Sequence, residues 1–365
     1  MSYSVLFKTG NIGRLAIRNR LIVAPMTRIS ASETGVPGTR MEKYYARFAR
    51  GGFGTIITEG LYMDAFWSQT YAYQAGIVSD AHVVGWKKIT DIVHENGTQI
   101  FAQLMHSGAL SQGNIFREDT IAPSAVQPMG EQLSFYHGAG KYKTPRTMNE
   151  IEIQTVIHSF ADAAERAVSE AGLDGIEIHG ANGYLLDQFL TSYSNQRDDH
   201  WGGDIAGRLS LILSVIAAVR ERVGDAIPVG VRISQGKVND FYHKWSEGIE
   251  GATRVFSLLA QSGVDFIHIT EYNALKPAFA GSHLSLVQIA RQAAPEVTLI
   301  ANGSLIDGEC ATQATEQGAD FVAIGKSALA NPDWPERVKN AVPLREFDCG
   351  ILAPAADVKD SELAL

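Results

Sequence analysis

Eight short apolar segments recur along this 365-residue chain and constrain its fold more than any other feature. Each is rich in branched apolar side chains and stops at a glycine, a proline or a polar residue, which is typical of a strand buried on both faces. The predicted strands cover residues 20–24, 55–59, 99–104, 175–178, 228–233, 266–270, 297–302 and 320–324. Helical patterns separate most of them, at 38–50, 80–96, 149–172, 208–223, 248–262 and 307–317, with one last helix predicted over 327–340. This alternation predicts an α/β fold, a closed parallel (β/α)8 or TIM barrel.

A doubly wound open sheet is the main alternative architecture, and it is disfavoured because no GxGxxG motif follows the first strand. Three segments lie outside the repeat. Residues 7–17 predict an N-terminal β-hairpin, and residues 105–148 form a long excursion of the kind that often serves as a lid. The C-terminal tail, 343–365, carries no clear pattern, and we expect it to pack late or fray. We treat residues 1–365 as a single domain.

Composition excludes several classes of protein. The net charge of −9 argues against a nucleic-acid partner, because phosphate backbones require a basic face. The N-terminus lacks the pattern of a signal peptide, and no apolar run reaches the roughly 18 residues of a membrane helix. The two cysteines, Cys310 and Cys349, are too few for a cysteine-held iron–sulfur cluster and fit a reducing compartment. We therefore expect a cytoplasmic protein with no membrane partner.

The carboxyl ends of the strands carry the candidate functional residues, because active sites of (β/α)8 barrels lie at that end. The polar and glycine positions there are Thr27, Gly60, Gln103, His106, His179, Asn182, Tyr184, Arg232, Glu271, Tyr272, Asn302, Gly303, Ser304, Gly325 and Lys326. The set lacks the carboxylate pair of a glycosidase and the spacing of a Ser-His-Asp triad. It also lacks a compact metal-ligand group, although His106 and His179 could in principle share an ion, so we predict no metal.

The last two strands predict a phosphate site. Gly303 and Gly325 leave backbone amides bare after strands seven and eight, where barrels often bind phosphate, and Lys326 adds a point charge. The alternative interpretation is that the two glycines only allow tight turns and that Lys326 is an ordinary solvent-exposed lysine.

Polar side chains at other strand ends suggest that the ligand also carries a planar ring next to that phosphate. Gln103 offers both a donor and an acceptor, and Thr27 offers a hydroxyl. Arg232 ends a buried strand, so its charge needs compensation, which a ligand or a structural ion pair could supply. A phosphate with Gln, Thr and Arg facing a ring suggests flavin mononucleotide (FMN).

The stretch GIEIHGANGYLLDQFL, residues 175–190, crowds three hydrogen-bonding side chains into the end of strand four. These are His179, Asn182 and Tyr184. The simplest interpretation is a strand-to-helix loop in which Asn182 is the N-cap of the following helix. Its place opposite the predicted phosphate site favours a role in chemistry.

Several motifs resemble those of the Old Yellow Enzyme family of ene-reductases, over about residues 7–340. They are Pro25-Met26-Thr27-Arg28, Gln103, His179-x-x-Asn182-x-Tyr184-Leu185, Gln188-Phe189-Leu190, Asn195-x-Arg197-x-Asp199-x-Trp201-Gly202-Gly203 with Arg208, and Gly325-Lys326 followed by Ala330-Asn331-Pro332-Asp333. The resemblance implies noncovalent FMN in a barrel, reduced by NADPH or NADH, with hydride then passing to the β-carbon of an activated alkene such as an unsaturated carbonyl or nitro compound.

The resemblance also implies residue roles. The residues that would line the flavin ring are Pro25, Met26, Thr27, Gly60, Gln103 and Arg232. Gly303, Gly325 and Lys326 would hold the phosphate. His179 and Asn182 would donate hydrogen bonds to the oxygen of the substrate, and Tyr184 would protonate the α-carbon. This agrees with chemistry in which fixed donors stabilise an oxyanion and a phenol supplies the proton.

Two positions depart from the common pattern of that family. Met105 stands where a Trp is frequent, which predicts a substrate pocket of different shape, and Lys326 replaces the usual Arg. Two alternatives stay open from sequence: another FMN barrel dehydrogenase, or a flavin-free phosphate-dependent lyase or isomerase. The sequence does not distinguish NADH from NADPH, or a monomer from a homo-oligomer.

Overall fold

The barrel strands form where the sequence predicts them. A computed structural model describes residues 3–364. The strands are β1 Gly10–Ile12, β2 Leu15–Ile17, β3 Leu21–Val23, β4 Thr55–Tyr62, β5 Gln99–Met105, β6 Ile121–Ala122, β7 Arg146–Thr147, β8 Gly175–Asn182, β9 Val229–Lys237, β10 Phe266–Thr270, β11 Thr298–Asn302 and β12 Phe321–Ile324. Eight of them close a parallel barrel in the order β10-β11-β12-β3-β4-β5-β8-β9. The predicted (β/α)8 fold is confirmed.

Helices cover the outside of this barrel. The α-helices are α1 Thr39–Arg50, α2 Asp80–Glu95, α3 Glu150–Glu165, α4 Leu185–Leu190, α5 Ile205–Val223, α6 Gly248–Gln261, α7 Leu286–Ala293, α8 Gly308–Glu316, α9 Lys326–Ala330, α10 Trp334–Lys339 and α11 Asp360–Leu363. The largest hydrophobic cluster lies between the strands and the surrounding helices, and two smaller clusters are separate from it. In the described part of the chain, no helix is long and apolar enough to cross a membrane.

Helix starts follow their local sequence. The Asn149 side chain accepts a hydrogen bond from the Glu152 N–H, and the Glu152 carboxylate accepts one from the Asn149 N–H. This is the capping box that the sequence predicts, and it satisfies two donors at the start of α3. Helix α3 continues as a π-helical turn over Arg166–Glu170.

The predicted hairpin, β1 with β2, closes the amino-terminal end of the barrel. Its Ile12 and Ile17 pack under three buried barrel residues, Phe101, Phe266 and Phe321. All five side chains are at most 1% exposed, and burying each one is worth roughly 1.5–3 kcal/mol. The amino-terminal end is therefore a packed floor.

Three expectations about helices and the tail need correction. The single helix predicted over 327–340 is two helices, α9 and α10, because Pro332 disfavours a helical conformation at Asn331. Helix α7, between strands six and seven, was not predicted. The tail does not fray: Glu362 of α11 is buried and binds the guanidiniums of Arg28 and Arg47 at 2.5 and 3.2 Å.

The excursion from 105 to 148 has little regular structure. Short 3-10 turns, Gly108–Leu110 and Ser134–Tyr136, and the two-residue pair β6 and β7 are its regular elements. It folds over the carboxyl end of the barrel, where its Tyr142 packs in a small cluster with Tyr184. Its backbone meets the tail where the Ala356 N–H donates to the Phe135 carbonyl at 2.8 Å.

Candidate active site

A cavity of about 400 Å³ opens at the carboxyl ends of the barrel strands. Most of the residues predicted to contact the cofactor line it: Pro25, Met26, Arg232, Gly303, Gly325 and Lys326. Asn182 lines the same cavity. The structure therefore brings together residues from five barrel strands and their loops, as the sequence predicts for a barrel site.

The other three predicted cofactor residues lie beside this group. Gly60 and Gln103 are paired in register across β4 and β5, and Thr27 directly follows Met26. A Cβ at Gly60 would overlap the Met105 sulfur, so any larger residue would force the Met105 side chain to move. The Thr27 carbonyl accepts a hydrogen bond from the Tyr136 hydroxyl at 3.0 Å.

Arg232 is buried without a carboxylate ion pair among the described residues. Its Nη2 donates to Asn302 Oδ1 at 2.9 Å and to Thr270 Oγ1 at 3.2 Å. Its Nε is buried and has no partner in the described structure. Burial lowers the pKa of Arg232, but a guanidinium remains charged in proteins. A buried cation with a free donor beside the cavity suits a ligand that accepts hydrogen bonds and carries partial negative charge.

A polar network inside the barrel fixes the amide of Gln103. Its Nε2 donates to Glu177 Oε1 at 2.7 Å, and His268 Nδ1 lies 2.7 Å from Glu177 Oε2. The side chains of Glu177 and His268 are fully buried. This carboxylate is also the main charge that favours the protonated form of Arg232. The amide oxygen and one N–H of Gln103 are left for a ligand.

His179 is a neutral hydrogen-bond donor. Burial, together with the nearby charge of Arg232, holds the pKa of His179 well below its usual value. Its Nδ1 accepts from the Ala181 N–H at 3.3 Å, so the ring hydrogen sits on Nε2. The ring meets Tyr184 edge-on, with centroids 5.0 Å apart.

Tyr184 shares a short hydrogen bond with a second tyrosine. The hydroxyls of Tyr184 and Tyr71 lie 2.6 Å apart, and both side chains are buried. Burial raises the pKa of Tyr184 to about 12, although the bond from Tyr71 lowers it. Tyr71 also stacks on Tyr136, with ring centroids 4.1 Å apart. Tyr184 is therefore a protonated phenol at neutral pH.

The loop around Asn182 differs from the simplest interpretation. The N-cap of α4 is Tyr184, with no side-chain cap bond, and Asn182 has a left-handed φ of +61°. Asn182 as an N-cap is therefore wrong. The Asp187 side chain instead accepts the Gly183 N–H at 2.6 Å.

His106 is a buried side chain in its neutral form. Burial lowers its pKa to about 4, and its Nδ1 accepts from the Gly108 N–H at 3.0 Å. Among residues 3–364, no three His, Cys, Asp or Glu side chains form a group that could hold a metal. Met105 is buried against Gly60, and Lys326 is exposed with its ammonium 5.9 Å from the Phe347 ring.

Sequence reasoning missed several residues of the site. Tyr71 and Tyr136 come from loops without periodicity, and Glu177 and His268 lie in strands whose two faces are both apolar. Asp187 directly precedes the Gln188-Phe189-Leu190 motif, whereas Lys237 lies outside every motif, and nothing in their spacing indicates that they touch. The local signal for these residues is absent because their partners are 50 to 113 positions away.

Comparison with known proteins gives consistent results. The model of the NADH:flavin oxidoreductase / NADH oxidase family matches residues 5–345. A probable flavin mononucleotide-dependent alkene reductase of Leishmania infantum is 36% identical over 355 residues, covering 95% of this chain and 93% of that protein. A Thermoanaerobacter brockii NADH oxidase is 33% identical and covers 92% of this chain, which spans 50% of it.

Solved structures of other proteins have the same fold as this chain over nearly its whole length. The Old Yellow Enzyme homologue from Zymomonas mobilis superposes with a TM-score of 0.87 at 29% identity, covering 98% of both chains. Morphinone reductase in complex with tetrahydroNAD gives a TM-score of 0.83 at 32% identity, covering 95% of this chain and 93% of that one.

Proposed function

The chain belongs to the NADH:flavin oxidoreductase / NADH oxidase family, and on that basis we propose roles for the residues around its cavity. The protein is an FMN-dependent NAD(P)H oxidoreductase of the Old Yellow Enzyme type, in the class of alkene reductases. The flavin-free lyase or isomerase is accordingly set aside. The observation that carries the residue roles is the contact of a neutral His179 with a protonated Tyr184 beside the cavity that Arg232 lines.

The cavity fits FMN on two structural grounds. The unpartnered Nε of Arg232 and the free amide groups of Gln103 suit the polar edge of a flavin ring. Gly303, Gly325 and Lys326 suit its phosphate, because a Cβ at Gly325 would point into the cavity space rather than into packed protein. Pro25, Met26, Thr27 and Gly60 complete the lining. When bound, FMN carries hydride between the nicotinamide and the alkene.

His179 Nε2–H and the Asn182 amide would bind the oxygen of the substrate. Negative charge grows on that oxygen as hydride reaches the β-carbon, and donors already fixed in place stabilise it without reorganisation. Loss of one such donor costs roughly 10²–10³ in rate. A neutral imidazole suits this role because its tautomer is fixed by the Ala181 N–H.

Tyr184 would give its proton to the α-carbon. With Tyr71 as donor in their shared bond, the Tyr184 hydrogen is free to face the substrate. The same bond would stabilise the phenolate left behind. Met105 packs against Gly60, and its side chain would determine the shape of the substrate pocket there.

We further propose that the substrates are activated alkenes bearing a carbonyl or nitro group, because His179 and Asn182 would both donate hydrogen bonds to an oxygen of the substrate. We propose that the long excursion acts as a lid and that residues 1–365 form one domain. Cysteine usage supports a cytoplasmic location. Light scattering would show whether the protein is a monomer or a homo-oligomer.

The test is a stopped-flow separation of the two half-reactions of the FMN-loaded protein. Tyr184→Phe is expected to leave reduction by NAD(P)H near the wild-type rate and to slow reoxidation by 2-cyclohexenone by roughly 10²–10⁴, the usual contribution of a positioned acid. Equal loss in both half-reactions would show that Tyr184 does not act as the proton donor. A protein that neither contains nor takes up FMN would contradict the cofactor site.

A further inference from the structure

A buried ion pair lies directly behind the loop that carries Asn182 and Tyr184. Lys237 Nζ is 2.7 and 2.8 Å from the two carboxylate oxygens of Asp187. Asp187 is fully buried and Lys237 is 6% exposed. Removing two charges from water costs several kcal/mol each, which their attraction offsets only when further hydrogen bonds complete the pair.

Those further hydrogen bonds go to the catalytic loop. Asp187 Oδ2 accepts the Gly183 N–H at 2.6 Å, and Oδ1 accepts the Thr191 hydroxyl at 3.2 Å. Lys237 is paired in register with Asn182 across β8 and β9. The pair therefore connects the end of β9 to the middle residue of the sequence Asn182-Gly183-Tyr184.

This loop needs such support because Asn182 holds a backbone conformation that residues other than glycine adopt infrequently. Asn182 and Gly183 have consecutive positive φ angles of +61° and +87°, and a non-glycine residue there costs of order 1 kcal/mol. The Asn182 N–H donates to Ser234 Oγ at 2.8 Å, and its carbonyl accepts the Val238 N–H at 3.0 Å.

We propose that Lys237 is a positioning residue for substrate binding. Its ammonium fixes the position of the Asp187 carboxylate, and the carboxylate holds the Gly183 N–H. The loop then presents the Asn182 amide and the Tyr184 hydroxyl to the substrate. Lys237 contributes to the cavity wall, but its ammonium is bound to Asp187. This inference rests on the roles proposed above for Asn182 and Tyr184.

Removal of the ammonium distinguishes positioning from mere stability. In Lys237→Met, the Asp187 carboxylate is left buried without its cation and is expected to move away from its present position, which loosens its hold on the Gly183 N–H. Misplacement of about 1 Å can cost roughly 10² in rate. Lys237→Arg keeps the charge and is the matched control.

The experiment uses FMN-loaded protein and two readouts. Phenol is titrated into the oxidised enzyme and followed by the flavin absorption spectrum, and reoxidation by 2-cyclohexenone is followed by stopped flow. Lys237→Met is expected to weaken phenol binding and slow reoxidation by at least about tenfold. Lys237→Arg is expected to restore most of both. If Lys237→Met only lowers the melting temperature, while its phenol affinity and reoxidation rate stay within twofold of wild type, the proposal is overturned.

Two further variants keep the test decisive. If Lys237→Met does not fold, the double variant Asp187→Leu with Lys237→Met removes both charges and also removes the acceptor of the Gly183 N–H. It is expected to fold and still bind phenol several-fold more weakly, and wild-type affinity would overturn the proposal. If instead His179→Ala with Asn182→Ala leaves phenol binding unchanged, the proposed function fails, independently of Lys237.

Discussion

The bond between Tyr71 and Tyr184 yields a quantitative prediction. Tyr71→Phe removes one hydroxyl and leaves the ring that stacks on Tyr136 in place. A hydrogen bond between neutral groups is worth about 0.5–1.5 kcal/mol, and one to a charged group about 1.5–3 kcal/mol. The difference, roughly 1–2 kcal/mol, is the stabilisation that appears only as Tyr184 gives up its proton.

This difference corresponds to about 5- to 30-fold in rate. Loss of the bond also raises the pKa of Tyr184 above its present value of about 12, because the bond from Tyr71 now lowers it. A weaker acid transfers its proton more slowly. We therefore expect Tyr71→Phe to slow alkene-driven reoxidation 5- to 30-fold by this estimate, with FMN content unchanged.

The assay is anaerobic stopped flow, with pre-reduced enzyme mixed with 2-cyclohexenone. Tyr142→Phe is the matched control, because Tyr142 packs in the same cluster while its hydroxyl faces Gln112 at 3.4 Å. Reoxidation of Tyr71→Phe within twofold of wild type would refute the reasoning. So would an equal loss in the Tyr142→Phe variant, since the effect would then come from packing.

Three other predictions concern stability and cofactor binding. Glu362→Ala leaves two guanidiniums buried without their carboxylate and is expected to destabilise the protein by about 3–5 kcal/mol, measured by urea unfolding; a loss below 1 kcal/mol would mean that the tail is dispensable. The hydrogen bond to Asp174 raises the pKa of His94, so its contribution is complete below pH 6.5 and is lost as pH rises through the folded value. The melting temperature should therefore fall more steeply from pH 6 to 8 in wild type than in His94→Gln, and parallel profiles would contradict this. Gly60→Ala pushes a methyl group against Met105 and is expected to weaken FMN binding, measured by fluorescence titration, whereas unchanged affinity would show that the strand yields.

The barrel was predictable because its signal is local. Branched apolar runs at regular intervals define the strands, and residues that follow them, such as Gly303 and Gly325, then fall at the same end of a closed sheet. The sequence placed Arg232 at the end of its strand, but β9 continues to Lys237. Errors at element boundaries also have local causes, as at Pro332, which ends α9.

The polar interior was less predictable. Strands buried on both faces lose the alternation that would show which side chains point inward, so Glu177 and His268 gave no sign of their bond. Tyr71 and Glu362 reach the site region from a loop and from the tail, and only the folded chain places them. Contacts between distant segments carry no periodicity in sequence.

The packed floor beneath the barrel has a kinetic consequence. Because Ile12 and Ile17 plug the amino-terminal end, the cavity exchanges its contents through the carboxyl-terminal mouth. A nicotinamide and an alkene that enter and leave through this one mouth would then bind in turn, each leaving before the next one enters. Turnover should follow a substituted-enzyme pattern with parallel double-reciprocal lines, and excess of either reactant should inhibit the other competitively.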